Sequence, residues 1–319
     1  MIEVDKLSKY FGERAAIRDL SFSIAKGEIV GFLGLNGAGK TTTLRILGCL
    51  LLPTSGTVRV DGLEVTQNPY EIRKKIGFLP DLPPLYPEMT VGAYLAFAAR
   101  LRQVPAREAA ARVAEAEEKT ALRDMHGEVI RDLSHGYRQR VGLAQAIVHK
   151  PALLILDEPS AGLDPAQIVD MRSLLRGLQG EHTVLISSHF LTEISQTCDR
   201  LLVIHKGDLV GQGSESELAS AMGQGAGTPG GGTIEVEVRG QPPGLAERLA
   251  GLASVSKVQD RPTMDDSTVF EVVASTDIRA DVARLLVTTG CDLLRLERST
   301  SRLESIFMNL TQKPAGGPQ

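Results

Sequence analysis

One short run constrains this chain more than any other: Gly34-Leu35-Asn36-Gly37-Ala38-Gly39-Lys40-Thr41. Its spacing, Gly-x-x-x-x-Gly-Lys-Thr, is that of a phosphate-cradling loop. Successive backbone N–H groups turned inward make a nest for a polyphosphate, and glycine permits the φ values the nest needs. Lys40 can reach β- and γ-phosphates, and the Thr41 hydroxyl can bind Mg²⁺. The surroundings suit this chemistry. Ile29 to Leu33 is a short apolar run of the kind that forms a buried strand. Thr41 to Leu51 reads as a helix stopped by Pro53, its N-terminal dipole turned toward the phosphates.

Further along, the apolar run Leu153 to Leu156 delivers two carboxylates, Asp157 and Glu158. Ligands bind at the C-terminal ends of strands in parallel α/β sheets. Asp157 suits a Mg²⁺ shell, and Glu158 can polarise an attacking water. By itself this reads better as a strand ending in a solvated acidic turn. At Leu133-Ser134-His135-Gly136-Tyr137 a Ser and a Gly open a helix, either as an ordinary cap or as a phosphate site.

Strands are expected at Ile2–Val4, Leu20–Ile24, Val58–Val60, Ile76–Leu79 and Val184–Ser187, and a hairpin over Leu201 to Asp208. Pro80 to Pro87 is a proline-rich loop. Thr90 to about Lys119 has apolar residues at helical spacing, which indicates a helical subdomain. Gly223 to Gly232 is almost all glycine and reads as a flexible linker. Beyond it, a βαββαβ order indicates a small ferredoxin-like domain. A short amphipathic helix follows at Leu303–Leu310, and the Pro/Gly-rich tail from Lys313 is expected to be disordered.

Composition removes several classes. The 319 residues suffice for two or three domains, and 42% hydrophobic residues support an ordinary globular core. A net charge of −4 gives no case for a nucleic-acid partner. Cys49, Cys198 and Cys291 are scattered, without metal-ligand or disulfide spacing, which fits a reducing cytoplasm. The first residues lack the apolar core of a secretory signal, and no apolar run approaches the ~20 residues of a membrane span.

Taken in order, the glycine loop, the helical insert, Leu133-Ser134-His135-Gly136, the strand ending in Asp157-Glu158, Ser160-Ala161-Gly162-Leu163-Asp164, and Ser187-Ser188-His189 resemble the nucleotide-binding domain of ABC transporters. The resemblance runs from the start to about Met222. The stretch Leu133 to Ala146, with the C-terminal domain, most resembles the ABC-2 type branch and, within it, gliding-motility-associated ATP-binding subunits. The implied fold is α/β: a P-loop ABC-type domain over 1–222 with its helical subdomain at about 84–145. A linker at 223–232, an α+β accessory domain at 233–312 and a tail at 313–319 follow.

The resemblance also implies roles. Gly34, Leu35, Asn36, Gly37, Ala38, Gly39, Lys40, Thr41 and Thr42 would hold ATP. Thr41, Asp157 and Asp81 would face Mg²⁺. Glu158 would be the general base, and His189 would hydrogen-bond the γ-phosphate beside Lys40. Phe11 would stack on adenine, with Tyr10 the alternative. Ser134 and Gly136 would contact ATP held by a second copy or a homologous subunit, with Asp164 across that interface.

The implied partners are membrane-spanning permease subunits, one docking a helix near Pro80 to Pro87. The chain would then sit peripherally on the cytoplasmic face of the cell (inner) membrane and power export. Two departures stand out. Asp81 replaces the family's usual Gln; it can approach Mg²⁺ or a water but donates no hydrogen bond at neutral pH. His135 and Tyr137 replace a Gly and a Gln, while Ser134 and Gly136 remain.

Other readings fit less well. A translation-factor or DNA-repair ATPase needs two cassettes or a long coiled coil, and Thr42 to Leu133 is too short for one. A GTPase needs Asn-Lys-x-Asp, and no Asn here precedes Lys. A nucleotide-binding regulator without turnover has no use for Glu158.

Overall fold

The computed structural model describes residues 1–214, 217–218, 232–240, 243–262 and 267–298. They divide into two compact units, Met1–Glu215 and Ser216–Asn309.

The first unit is built on a six-stranded sheet. Its strands are β3 (Ile29–Leu33), β6 (Ile76–Leu79), β7 (Leu153–Asp157), β8 (Thr183–Ser188), β9 (Arg200–His205) and β10 (Asp208–Gly213). The order is β10-β9-β3-β8-β7-β6. All neighbours are parallel except β10, which returns antiparallel on β9. Every residue of β3, β7 and β8 is buried. Both faces of a parallel sheet are covered, so such strands are apolar throughout rather than alternating.

Alternate residues feed two cores. Leu154 and Leu156 join Val184 and Ile186 on the side of the helices α3 (Val91–Leu101), α4 (Ala106–Lys119), α5 (His135–Ile147) and α6 (Pro165–Gly177). Leu153 and Ile155 join Val30 and Phe32 on the other side, with α1 (Lys40–Leu47). There a second, antiparallel sheet closes the core, with β1 (Ile2–Phe11), β2 (Arg14–Ile24), β4 (Ser55–Val60) and β5 (Leu63–Glu64) in the order β2-β1-β4-β5.

Some elements differ in extent from the sequence expectation. α1 ends at Leu47, not Leu51, because Gly48 caps it and Cys49 turns left-handed at φ 56°. The helical stretch after Thr90 is two helices, divided where Gln103 takes φ 60° and Pro105 opens α4. Thr90 starts α3 by accepting the Ala93 N–H. α2 (Pro69–Lys75) and α7 (Leu191–Ser195) complete the unit.

The second unit runs β11 (Gly232–Arg239), α8 (Leu245–Ala250), β12 (Val255–Pro262), β13 (Ser267–Ala274), α9 (Arg279–Thr289) and β14 (Leu293–Arg298), the expected βαββαβ order. Its sheet, β12-β13-β11-β14, is antiparallel throughout. It has its own core, in which Val236, Val238 and Val272 pack against Leu249, Val282 and Leu286. Gly232, the last residue of the expected linker at 223–232, instead opens β11; the rest of that linker, the helix at Leu303–Leu310 and the tail from Lys313 lie outside the described residues. Among the described residues, no helix is long and apolar enough to cross a membrane.

Candidate active site

Parallel pairing brings the chemistry together. Leu33 is level with Ser188 and Val203, and Asp157 with Ser187. The glycine loop, Glu158 and His189 therefore all leave the sheet at one edge, the C-terminal edge where α/β proteins bind ligands.

The loop has the shape of a cradle. Gly37 and Gly39 take φ 79° and 109°, which L side chains rarely adopt. A Cβ at Gly39 would lie 2.6 Å from the Ala16 carbonyl oxygen, and one at Gly34 2.6 Å from that of Ile204. α1 begins at once, with no side chain capping its start and no acid in its first turn. Its unpaired N–H groups and positive dipole end are thus open to an anion.

Lys40 is buried, with 6% exposure. Its Nζ donates to the Gly34 carbonyl at 2.7 Å and pairs with Glu158 Oε1 at 3.2 Å. The other carboxylate oxygen, Glu158 Oε2, lies 2.5 Å from His189 Nδ1. Glu158 is thereby fixed between a cation and an imidazole. Its backbone is held too. It sits at φ 50°, a left-handed conformation that costs about 1–3 kcal/mol away from glycine. The Glu158 N–H donates to Ser187 Oγ at 2.9 Å, and its carbonyl accepts from the Ala161 N–H at 3.0 Å. The same Ser187 hydroxyl donates to Asp157 Oδ1 at 2.6 Å.

These groups face an open cleft of about 610 Å³, walled by Phe11, Arg14, Ala15, Ala16, Asn36, Gly37, Gly39, Lys40, Thr41, Thr42, Asp81, Glu158, Ala161 and His189. That lies within the ~300–1,000 Å³ of most small-molecule sites, room enough for a nucleotide. Phe11 stands on the wall, half-exposed, and Tyr10 does not line it. Gly34 and Leu35 turn carbonyls to Lys40 instead of lining the cleft, and Ala38 is buried behind it. Burial, and then the negative charges of Asp157 and Glu158, push the Asp81 carboxyl above its ordinary range. Gln139 Nε2 donates to the Asp81 carbonyl at 3.1 Å.

Ser134 and Gly136 are not on this cleft. Ser134 caps α5, accepting the Tyr137 N–H at 3.4 Å, and remains exposed. Asp164 caps α6 through the Gln167 N–H at 2.9 Å.

The cradle and Lys40 fit a nucleoside triphosphate. Among the described residues no group of three or more His, Cys, Asp or Glu could hold a metal by itself. Mg²⁺ needs none, since it takes one or two carboxylates together with substrate phosphates and water. Sequence reasoning gave Ser187 no role, because its meeting with Asp157 depends on strand register. The Ser-Ser-His run was the available signal. Arg14 and Ala161 on the cleft wall were also missed.

Comparison with known proteins follows the same lines. The family model described as ABC transporter matches residues 17–161. The linearmycin resistance ATP-binding protein LnrL of Bacillus subtilis (strain 168) is 31% identical over 320 residues, covering 98% of this chain and 98% of that one. Among solved structures, a dimeric post-hydrolysis ATP-binding cassette bound to ADP and phosphate superposes with a TM-score of 0.61 at 26% identity, over 67% of this chain and 98% of that one. CbiO1 of Clostridium perfringens, part of the ABC transporter complex CbiONQ, gives 0.63 at 27% identity, over 69% and 91%.

Proposed function

This chain belongs to the ABC transporter family as an ATP-binding, ATP-hydrolysing subunit, and on that premise we propose how its residues divide the work. The cradle of residues 34–42 binds the phosphates of ATP, with Lys40 on the β- and γ-oxygens and Phe11 against the adenine. Glu158 is the general base: it orients a water in line with the γ-phosphate and takes up its proton. His189 holds that carboxylate and reaches the γ-phosphate. Bound Mg²⁺ would neutralise charge on the phosphates, held by Thr41 and Asp157, with Asp81 beside them. The single observation that carries this reading is the placement of Glu158 between Lys40 and His189 on the cleft wall.

Ser134 and Gly136 serve the ATP of a second copy, or of a homologous subunit, in a head-to-tail dimer. Their position off their own cleft and the dimeric cassette of similar fold support this. Membrane-spanning permease subunits dock on the apolar groove lined by Leu82, Pro83, Leu85, Pro87 and Ile130. CbiO1, part of such a complex, supports a permease partner. The resistance role in LnrL's name supports export. The gliding-motility kinship rests on residues 133–146 together with the C-terminal domain. The chain works peripherally on the cytoplasmic face of the inner membrane, with no nucleic acid. Residues 1–222 form the ATPase domain, and 233–312 an accessory domain.

The test is Glu158→Gln. ATP affinity, read by equilibrium binding, stays within a few-fold of the parent. Steady-state turnover falls by about 100-fold or more. Turnover near that of the parent would remove Glu158 as base.

A further inference from the structure

His135, the first residue of α5, makes a contact within its own chain that the catalytic reading does not use. Its Nε2 lies 2.9 Å from the Ala161 carbonyl oxygen. A carbonyl only accepts, so Nε2 carries the proton and the tautomer is fixed. The next residue is shaped to admit the ring. Gly162 takes φ +72°, and a Cβ there would lie 3.1 Å from His135 Nε2. Ala161 in turn donates its N–H to the Glu158 carbonyl at 3.0 Å and stands with Glu158 on the cleft wall. The chain of contact is thus His135 ring, Ala161 peptide, Glu158 backbone.

At its other end, His135 follows Ser134 and is the first residue of α5. The start of α5 also lies close against α6: a Cβ at Gly136 would come 2.6 Å from Gln167 Oε1.

We propose that His135 is a positioning residue that ties the start of α5 to the loop carrying Glu158. Ser134, which reads one nucleotide, and Glu158, which acts on the other, then move as one piece. The link between the two nucleotides rests on the head-to-tail reading above; the tie itself lies within one chain. A rival role is simple space filling, because the ring also borders the groove with Leu82 and Pro83. The two roles separate by chemistry. Filling needs a ring; the tie needs an N–H at the reach of Nε2.

The experiment compares the full chain with His135→Phe, which keeps a ring without the donor, and His135→Gln, which keeps a donor without the ring. His135→Phe should lower kcat about 5- to 10-fold, the worth of one hydrogen bond, with KM for ATP within about twofold. His135→Gln should keep more than half of the parent kcat. A Phe variant as fast as the parent, or a Gln variant as slow as the Phe variant, overturns the proposal.

ATP-driven dimerisation is read separately by size exclusion in the Glu158→Gln background. Failure of the Glu158→Gln chain to dimerise would sink the head-to-tail reading, while the kcat comparison still reads the tie. Dimerisation of the Glu158→Gln chain that is lost on adding His135→Phe would place His135 at the interface and overturn the tie.

Discussion

At Ser187 one hydroxyl ties the Asp157 carboxylate to the Glu158 backbone. It donates to Asp157 and accepts from the N–H of Glu158, and it is fully buried. Asp157 is 2% exposed, so water does not easily replace a lost donor. Removing the hydroxyl leaves a buried carboxylate and a peptide N–H each short of a partner, at about 1–3 kcal/mol together. It also releases the left-handed backbone of Glu158. Ser187→Ala should therefore lower the melting temperature by ~2–8 °C and reduce kcat more than it weakens ATP binding. A thermal melt and a turnover assay on one preparation check both. An unchanged melt with parent turnover would show that the hydroxyl is dispensable.

At the scale of elements, α5 is capped by Ser134 at its start and followed, two residues past its end at Ile147, by the partly buried His149. His149 Nε2 donates to the Ile76 carbonyl at 3.1 Å, at the start of β6, while its Nδ1 is buried without a partner. Burial, with Arg102 nearby, pushes its pKa from 6.5 down to about 4. The folded chain thus holds His149 neutral, whereas the unfolded chain protonates it below about 6.5. The stability this confers is complete above that pH and drains away as pH falls toward 4. Between pH 7 and pH 5 the loss is ~1–2 kcal/mol. His149→Gln keeps a donor for Ile76 and removes the titration, so denaturant melts at the two pH values should show a flatter dependence. Parallel slopes in parent and variant would refute the assignment.

The elements also show what a sequence makes legible. The glycine loop is local: its φ demands, lysine and following helix lie within a few residues. The apolar runs of β3, β7 and β8 could be read because a parallel sheet buried on both faces leaves no alternation to confuse. α6 and α7 escaped notice. α7 is only Leu191–Ser195, and α6 buries just Met171 and Leu175. β1 and β2 extend past their clear alternation because bulges interrupt their register. In the site, the contacts Ser187–Asp157 and His135–Ala161 join residues 30 and 26 positions apart. Strand pairing and a loop's path decide them, and neither is a spacing.

At the scale of the whole molecule, the separation of the two units makes a claim about where activity resides. Every residue walling the cleft lies within 1–215, as do Ser134 and Gly136. The second unit has its own core, sharing no residue with the two cores of the first. A domain with its own core and its own complete set of site groups needs no help from a neighbour to fold or to bind. A chain ending at residue 222 should thus bind ATP with the parent affinity and retain turnover within about threefold. On the head-to-tail reading proposed above, the pairing of two copies would rest on Ser134, Gly136 and the cradle, all of which remain. If the truncated chain binds ATP but turns it over more than tenfold more slowly, the accessory unit acts on dimer closure. If it loses binding as well, the cleft depends on residues beyond 222, and the division of labour is wrong.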